Sequence, residues 1–213
     1  MLTAEMMLSG YARGIFPMAE GRNADTLHWV DPRFRGIFPL ERFHVSRTLC
    51  RQILRADYEI RTDTAFREVV GACANRPETW INAELIQLYD ELFKAGHAHS
   101  LEVWQKGALA GGVFGITLGR AYFGESMFSA RTGGSKIALA YLVDRLVNAG
   151  FTLFDTQFLT PHLASMGAVE ISRSDYRRRL GRALVGEADF AAPRTPQPSE
   201  LVAGIRQRST QTS

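Results

Sequence analysis

β-Branched, aromatic and small apolar residues dominate three consecutive runs in the middle of the chain, at 100–104, 108–118 and 121–128. A Lys-Gly pair at 106–107 separates the first two runs, and a Gly-Arg pair at 119–120 separates the last two. A residue pair that contains glycine, placed between two β-rich segments, is typical of a hairpin turn. The pattern therefore predicts a three-stranded antiparallel meander.

The residues that follow the meander predict a helix, a strand and a second helix. Residues 135–149 have the pattern of an apolar helix, and residues 151–155 have that of a buried strand. Residues 161–166 form a short helical segment, with Thr160 in the position of an N-cap. A meander followed by these elements predicts an α+β fold in which helices pack against a sheet as a sandwich.

The first hundred residues carry mainly helical patterns. Helices are predicted over 3–14, 44–55, 63–74 and 82–95, and a strand is predicted over 58–62. Ser46 is the expected N-cap of the second of these helices, and Asp63 or Thr64 is the expected N-cap of the third.

A proline marks the first expected boundary between units. Asp31 precedes Pro32, and a residue in that position is pushed out of the helical region. Beyond Pro193 the chain is rich in Pro, Gln, Ser and Thr. We therefore divide the chain into a small N-terminal unit (1–32), a main domain (33–192) and a loose C-terminal tail (193–213).

The composition is that of a soluble globular protein, with 46% hydrophobic and 22% charged residues among 213. No apolar run approaches the roughly 20 residues of a membrane helix, and the first residues lack the features of a signal peptide. We therefore expect a cytoplasmic protein without a membrane partner. Cys50 and Cys73 are expected to be buried, reduced thiols, because no metal-ligand spacing accompanies them.

Three polar residues interrupt segments that otherwise read as buried strand. They are Glu125, Asp155 and Gln157. Burying a carboxylate or an amide costs several kcal/mol unless the group is paired or used, so their position at predicted strand ends indicates a functional site. Structural alternatives remain for each: a salt bridge to an arginine for Glu125, a cap of the next turn for Asp155, and a loop amide for Gln157.

Arginines form two rows, although the net charge is only +3. Arg47, Arg51 and Arg55 recur every four residues and would share one helix face. A second cluster consists of Arg173, Arg177, Arg178, Arg179 and Arg182. Such rows suit a nucleic-acid phosphate backbone, and they are equally compatible with a solvated helix face.

A glycine-rich turn, R-T-G-G-S-K at 131–136, precedes the helix predicted at 135–149. Two interpretations are open. The glycines, Lys136 and the helix N-terminus could form an anion site, or the segment could be an ordinary turn with Ser135 as N-cap. The order of elements around this turn is similar to the acetyltransferase-like (GNAT-type) fold, in which the corresponding turn faces a pyrophosphate.

Several sequence blocks resemble the bacterial leucyl/phenylalanyl-tRNA–protein transferase family more closely. The blocks are Y-A-R-G-I-F-P-M at 11–18, W-V-D-P-R at 29–33, T-W-I at 79–81, G-H-A-H-S-L-E-V-W at 96–104, G-E-S-M-F-S at 124–129, D-T-Q at 155–157 and H-L-A-S-M-G-A at 162–168. One departure is Met18, where some members of the family have Trp.

The resemblance implies an enzyme that moves Leu, Phe or Met from aminoacyl-tRNA to the α-amine of proteins with an N-terminal Arg or Lys. The product is marked for degradation by the N-end rule. The resemblance implies no metal, no CoA and no DNA partner. Two other classes remain open: a CoA-dependent acetyltransferase and a non-catalytic RNA-binding module.

The resemblance also implies roles for individual residues. Asp155 and Gln157 are the expected catalytic pair, with the Gln157 carbonyl accepting from the substrate amine and Asp155 orienting the Gln157 amide. Which of them, if either, takes the proton stays open. Glu125, together with Asp155, is expected to recognise the N-terminal Arg or Lys.

Further positions are expected to bind the donor. Val113, Tyr122 and Leu142 should line the pocket for the Leu or Phe side chain. Trp80 and Met18 are expected to pack on the terminal adenine, and His162 should contact the ribose or phosphate. The expected contacts to the tRNA backbone are Arg47, Arg51, Arg55 and Lys136.

Overall fold

A seven-stranded sheet forms the centre of the computed structural model, which describes residues 2–211. The strands run in the order β4-β5-β6-β7-β8-β3-β9. Their bounds are β3 Phe34–Phe38, β4 Glu59–Thr62, β5 Ala98–Gln105, β6 Ala108–Leu118, β7 Ala121–Ser129, β8 Leu153–Gln157 and β9 Val169–Ser172. The predicted meander is confirmed, because β5, β6 and β7 pair in antiparallel register.

The pairing between β7 and β8 differs from all other pairings in this sheet. It is parallel, and it covers three residue pairs, from Ala121–Leu153 to Phe123–Asp155. β7 continues for six residues beyond Phe123, whereas β8 ends two residues beyond Asp155. The two strands therefore lose their mutual hydrogen bonds at the carboxyl end of β8, and a cleft opens there.

Helices cover both faces of the sheet. Their bounds are α1 Ala4–Ala12, α2 Arg47–Arg55, α3 Phe66–Ala74, α4 Ala83–Lys94, α5 Gly134–Asn148, α6 Pro161–Ala164, α7 Arg173–Leu184 and α8 Pro198–Gln211. Neighbouring residues of a strand pack in different cores. Val113 of β6 and Tyr122 of β7 pack with α2, α5 and α8. The residues that follow them, Phe114 and Phe123, pack with α1, α3, α4 and α7. This alternation follows from the two-residue period of a strand.

The N-terminal residues pack against the main sheet. Strands β1 (Phe16–Ala19) and β2 (Leu27–Val30) form an antiparallel hairpin after α1. Tyr11 from α1 is fully buried in the same core as Phe123 of β7, and their ring centroids lie 4.8 Å apart. The N-terminal segment thus contributes side chains to the centre of the fold.

Several helix ends agree with the sequence analysis. Ser46 and Thr160 accept hydrogen bonds from the backbone N–H groups of Leu49 and Leu163, as expected of N-caps. The prediction for α3 was wrong, since Ala65 occupies the N-cap position without a side-chain hydrogen bond. Thr64 instead donates its backbone N–H and its hydroxyl to the buried Glu102.

The C-terminal segment differs from the expected loose tail. Residues Pro198–Gln211 form helix α8, while residues 212–213 lie outside the described part of the chain. Leu201, Val202 and Ile205 are almost fully buried against α2 and α5. The burial of these three apolar residues stabilises the helix, although the residues around them are mostly polar.

Helix α7 and strands β3 and β9 were not predicted from the sequence either.

Residues 2–211 contain neither a membrane-spanning helix nor a cluster of metal ligands. No helix there combines the length and the apolar character that a membrane crossing requires. No group of three or more His, Cys, Asp or Glu side chains is placed to bind a metal ion within that range.

Candidate active site

The cleft between β7 and β8 has a volume of about 220 Å³. Its walls come from the diverging strands, from the segment after β8, and from α5 and the loop before α4. The lining residues are Arg76, Trp80, Val113, Gly124, Glu125, Ser126, Met127, Leu139, Phe154, Thr156, Gln157, Phe158, Thr160 and Leu163. The cleft thus brings together two of the three polar residues singled out in the sequence, Glu125 and Gln157.

Gln157 ends β8 in an unusual backbone conformation. Its φ angle is +61°, in the left-handed region that non-glycine residues seldom adopt. The N–H of Phe158 donates to the carbonyl of Thr156 over 2.7 Å, which closes a tight turn around Gln157. Backbone strain of this kind persists where surrounding contacts hold it in place, and it is often found at functional sites.

Glu125 fixes the direction of the Gln157 amide. Gln157 Nε2 donates to Glu125 Oε1 over 3.0 Å, so the amide oxygen Oε1 is directed away from this carboxylate. Tyr11 and Tyr89 each donate a hydroxyl hydrogen bond of 2.7 Å to Glu125, one to each carboxylate oxygen. Three protein donors therefore converge on one buried carboxylate.

The environment of Glu125 changes its acidity. Burial raises the pKa of the Glu125 carboxyl to about 7, and the nearby Asp155 charge adds to the increase. The hydrogen bonds from Tyr89, Tyr11 and Gln157 act in the opposite direction because they favour the carboxylate. Glu125 therefore changes charge near neutral pH.

Asp155 is fully buried and carries a complete set of partners. Arg35 donates to it from Nε, over 2.9 and 3.1 Å, and from Nη2, over 2.6 Å. Tyr176 donates its hydroxyl over 2.7 Å, and the backbone N–H of Gln157 donates over 2.7 Å. Asp155 thus anchors the backbone of the strained residue.

Arg35 is itself enclosed, with a relative exposure of 1%. Its guanidinium lies between the rings of Phe16 and Tyr176, 4.4 Å from each centroid. Its Nη1 donates to the carbonyl of Gly14 over 3.0 Å. Arg35 therefore links the N-terminal segment to the strand that carries Asp155 and Gln157.

The two carboxylates bind parts of Gln157 that differ from those expected. Asp155 was expected to orient the Gln157 amide, but it binds the backbone of that residue, and Glu125 binds the amide. The reason is the left-handed conformation of Gln157, which breaks the strand alternation that the prediction assumed. Glu125 also lies within β7 and not at its end.

Sequence analysis missed Arg35, Tyr11, Tyr89 and Tyr176. A signal existed for Arg35, since it is an arginine directly before the apolar run G-I-F and a buried carboxylate needs a cation. The tyrosines carry no comparable signal. Tyrosine is common in cores, and its hydroxyl partner depends on which elements pack together.

Of the three residues expected to line the pocket for the Leu or Phe side chain, the structure places one in the cleft. Val113 lines the cleft, together with the apolar residues Leu139, Phe154 and Leu163. Tyr122 and Leu142 are absent from its lining and are fully buried in the core. Tyr122 lies two residues before Gly124, and Leu142 lies three residues after Leu139, so sequence position alone did not give the direction of their side chains.

The two residues expected to contact the terminal adenine are placed differently. Trp80 lines the cleft and is half-buried. Met18 is absent from the lining and packs as a partly buried residue against the core on the side of α1. The carbonyl of Trp80 accepts a hydrogen bond of 3.3 Å from the N–H of Ala19, the residue after Met18.

A groove adjoins the cleft and shares Arg76, Met127 and Thr160 with it. His162 lines this groove at the start of α6. Burial lowers the pKa of the His162 imidazole, and the positive charge of Lys136 lowers it further. The position of His162 beside the cleft is compatible with a contact to the donor end.

The arginine row on α2 is exposed along its whole length, at Arg47, Arg51 and Arg55.

The N-cap of α5 is Gly133, with φ +86°, and Ser135 does not cap the helix. A side chain at Gly133 would lie 2.7 Å from the Oε1 atom of Gln52 on α2, so the start of α5 faces α2. Lys136 is exposed in the first turn of α5.

The second arginine cluster is partly neutralised by ion pairs. Arg173 and Arg177 both contact Asp31, at 3.0 and 2.9 Å, and Arg178 contacts Asp175 at 2.5 Å. Much of this cluster therefore serves contacts within the chain.

Comparison with known proteins identifies the family. The family model described as Leucyl/phenylalanyl-tRNA protein transferase matches residues 37–181, and the model of the N-terminal domain of the same family matches residues 1–33. The chain belongs to the leucyl/phenylalanyl-tRNA protein transferase family. The family consists of transferases, and the resemblance noted in the sequence is confirmed.

Relatives in this family match the chain over its full length. A leucyl/phenylalanyl-tRNA–protein transferase of Cereibacter sphaeroides is 60% identical over 213 residues, covering 100% of this chain and 98% of the relative. One of Ruegeria pomeroyi is 59% identical over 212 residues, covering 100% of this chain and 99% of the relative.

Among solved structures, the crystal structure of FemX is similar to this chain. The TM-score is 0.52 at 11% sequence identity, and the match covers 67% of this chain and 60% of FemX. At this identity the similarity concerns the fold alone: a mixed α/β architecture around a mostly antiparallel sheet.

Proposed function

We propose that this protein transfers Leu, Phe or Met from aminoacyl-tRNA to the α-amine of proteins that begin with Arg or Lys. Family membership supports the reaction type. The observation that carries the site assignment is the Gln157 amide in the cleft, with its nitrogen held by Glu125. The product would be marked for degradation by the N-end rule.

The chemistry requires little activation of the donor. An aminoacyl ester is already reactive, and the attacking α-amine has a pKa near 8, so about a tenth of it is neutral at pH 7. In the proposed reaction the amine nitrogen bonds to the acyl carbon, and the ester bond to the ribose oxygen breaks. One amine proton is transferred, directly or by relay, to that oxygen, which leaves as a hydroxyl.

Gln157 is proposed to aim the amine. Because Nε2 is bound to Glu125, the amide oxygen remains as an acceptor for an N–H of the substrate amine. A fixed acceptor places the nitrogen lone pair towards the acyl carbon, and orientation of this kind is a large part of bimolecular catalysis. Asp155 supports the same residue through its backbone N–H.

Glu125 is the stronger of the two candidates for recognising an N-terminal Arg or Lys. The carboxylate of Asp155 is fully enclosed and carries four donor groups, so it has no room for a substrate cation. Glu125 lines the cleft and binds three donors, whereas a carboxylate offers about four acceptor sites. One acceptor site therefore remains for the substrate.

The apolar wall of the cleft is proposed to hold the Leu or Phe side chain. Val113, Leu139 and Phe154 are each less than 5% exposed and lie on the same cleft. Such buried residues give a pocket of fixed shape, which discriminates by size. The unbranched side chain of Met is proposed to fit the same pocket.

The exposed arginines of α2 and Lys136 are proposed to contact the tRNA backbone. They lie on α2 and at the facing start of α5, on elements that pack against each other. Phosphate contacts read charge and shape and not bases, which suits an enzyme that accepts several tRNA species. His162, in the groove next to the cleft, is proposed to contact the donor's terminal ribose or phosphate.

β7 and β8 pair in parallel and then diverge. This arrangement supports the proposal that the fold is acetyltransferase-like (GNAT-type), with the N-terminal unit as an addition to it. We infer a cytoplasmic location, because aminoacyl-tRNA is found there. The domain division proposed from the sequence is 1–32, 33–192 and 193–213, with the last part packed on the main domain through α8.

The test is the transfer of labelled Leu from Leu-tRNA to two peptides, one beginning with Arg and one with Glu. We expect transfer to the Arg peptide alone, and strong loss of it in Gln157→Ala. Gln87→Ala is a matched control, because that glutamine is exposed on α4, lies outside the cleft lining and donates its side-chain hydrogen bond to Glu91 of its own helix. Absence of transfer to either peptide would refute the proposal, and acetyl-CoA would then be tested as donor.

A further inference from the structure

The edge of β7 that faces the cleft lacks a strand partner over its second half. β8 pairs with this edge only as far as Phe123, and the neighbours of β7 in the sheet are β6 and β8. Along 124–129, therefore, no other strand of residues 2–211 pairs with this edge. Residues 126–128 are half-buried and Ser129 is exposed, so the edge is accessible from outside.

This free edge is not protected against pairing. Strand edges are usually blunted by charged side chains, by proline or by a covering segment, because they pair with other extended chains. The sequence G-E-S-M-F-S at 124–129 contains no proline, and its one charged residue, Glu125, is buried. Arg76 Nη2 donates to the carbonyl of Met127, but a backbone carbonyl has two lone pairs and can accept a second N–H.

A β-bulge marks the start of the free edge. On the side of β6, Phe114 pairs with Ser126 and Gly115 pairs with Gly124, so Glu125 is an extra residue on β7. A bulge bends its strand and redirects a side chain, and bulges are common beside active sites. The free edge thus begins at the residue that is proposed to bind the Arg or Lys side chain of the acceptor.

The end of β8 gives a direction to a chain that follows this edge. β8 runs parallel to β7 and turns away at Gln157. A polypeptide whose α-amine is held by Gln157, and which then follows 124–129, would continue the line of β8. At about 3.3 Å per residue, this stretch is about 20 Å long and matches about six acceptor residues. The groove of about 870 Å³ beside the cleft is lined by Met127, Phe128 and Ser129 and gives this chain its space.

The chemistry of the edge fits a polypeptide better than a nucleic acid. A strand presents alternating N–H and C=O groups, and the main chain of an extended polypeptide offers the complementary series. The groove is also mixed in charge, since Glu68 and Arg76 both line it. The exposed arginines proposed for the tRNA backbone lie elsewhere, on α2.

We propose that the acceptor protein binds as a short parallel strand along residues 124–129, in line with β8. The inference rests on the proposed function and deepens it, because it names how the acceptor is held beyond its first residue. Main-chain pairing provides affinity without reading side chains. It therefore suits an enzyme whose protein substrates share only their N-terminal residue.

The experiment tests the main chain of the acceptor. Eight-residue peptides that begin with Arg receive labelled Leu from Leu-tRNA, and in each peptide one backbone N–H, at position 3, 4, 5 or 6, is replaced by an ester oxygen. In a strand, the N–H groups of alternate residues point to the same edge. We expect the KM for the peptide to rise about 2- to 10-fold at two alternate positions, either 3 and 5 or 4 and 6, and to stay unchanged at the other two.

A variant of the protein tests the same path. Ala130 is exposed, follows β7 and lines the groove, so Ala130→Trp narrows the path for a long acceptor. The ratio of kcat/KM for the eight-residue peptide over a three-residue Arg peptide should fall about 2- to 10-fold. Ala191→Trp is the matched control, because Ala191 is exposed outside the cleft and the groove, and it should leave the ratio unchanged.

The outcomes separate this proposal from the proposed function. If transfer to the Arg peptide is intact but the ester scan shows no effect, or an equal effect at every position, the strand is overturned and the function stands. Equal loss with the long and the short peptide in Ala130→Trp also overturns it, because the groove would then serve the donor. Absence of transfer to any Arg peptide would refute the proposed function, and the strand with it.

Discussion

Gln157 Nε2 donates a hydrogen bond to Glu125 Oε1 over 3.0 Å, so a carboxylate within one strand sets the direction of an amide at the end of the next. β7 and β8 pair over only three residues before they part, and this contact spans the opening. An amide without that contact could rotate by half a turn and present its NH₂ group to the substrate. The contact therefore decides whether the cleft offers an acceptor or a donor.

The first prediction concerns the amide itself. Gln157→Ala should lower kcat by about 10²-fold while the KM for Leu-tRNA changes little, because the acceptor that aims the amine is lost. Steady-state kinetics with an Arg peptide checks this. A comparable loss in the Gln87→Ala control would show that the assay does not report on the cleft.

A second prediction concerns the pH dependence of stability. The pKa of Glu125 is about 7 in the folded protein, above its ordinary value of 4.5, so folding favours the protonated form. This contribution is fully present below about pH 4.5 and is lost as the pH rises to about 7. It amounts to at most about 3 kcal/mol.

Chemical denaturation of wild type and Glu125→Gln at several pH values between 4 and 8 tests the role of Glu125. The difference in the free energy of unfolding between the two proteins should change in the stated direction across this window, because glutamine does not titrate. A difference that is constant with pH would show that Glu125 has the same pKa in the folded and the unfolded protein, and would contradict the prediction.

A third prediction concerns the buried pair of Arg35 and Asp155. Arg35→Met leaves an uncompensated carboxylate in the core, which should destabilise the protein by about 3–5 kcal/mol. Thermal unfolding measures this loss. Arg67→Met is the control, because Arg67 forms an exposed pair with Asp90 and its removal should barely change the Tm. Equal effects of the two substitutions would contradict the proposed role of Arg35.

A fourth prediction concerns the choice between donor side chains. Val113→Ala enlarges the apolar wall of the cleft and should shift the ratio of kcat/KM for Phe-tRNA over Leu-tRNA by about 10-fold towards Phe. Tyr122→Phe should leave this ratio unchanged. The Tyr122 hydroxyl is buried without a hydrogen-bond partner among the described residues, so removing it costs little. A shift in Tyr122→Phe instead of Val113→Ala would relocate the pocket.

A fifth prediction concerns the arginine row of α2. Replacing Arg47, Arg51 and Arg55 by Ala should weaken Leu-tRNA binding and reduce its dependence on salt, by about one unit of slope for each lost phosphate contact. Binding measured at several salt concentrations tests this. Arg194→Ala is the control, since Arg194 is already paired with Glu200, and an equal change there would indicate a general charge effect.

The sequence by itself determined many of the local elements of this protein. The meander follows from β-rich runs separated by glycine turns, and the caps at Ser46 and Thr160 follow from side chains that satisfy neighbouring N–H groups. The sequence also marked Glu125, Asp155 and Gln157, because polar groups in apolar strands need a reason to be there.

Only the tertiary structure decided how these residues are used. Apart from the backbone N–H of Gln157, the partners of Asp155 and Glu125 come from residues 21 to 120 positions away, among them Arg35, Tyr11 and Tyr89. With the left-handed turn at Gln157, the side-chain amide binds Glu125, and Asp155 binds the backbone N–H. The packing of α8 depended on a core that exists only after folding. Local patterns specify elements, whereas contacts between distant segments specify a site.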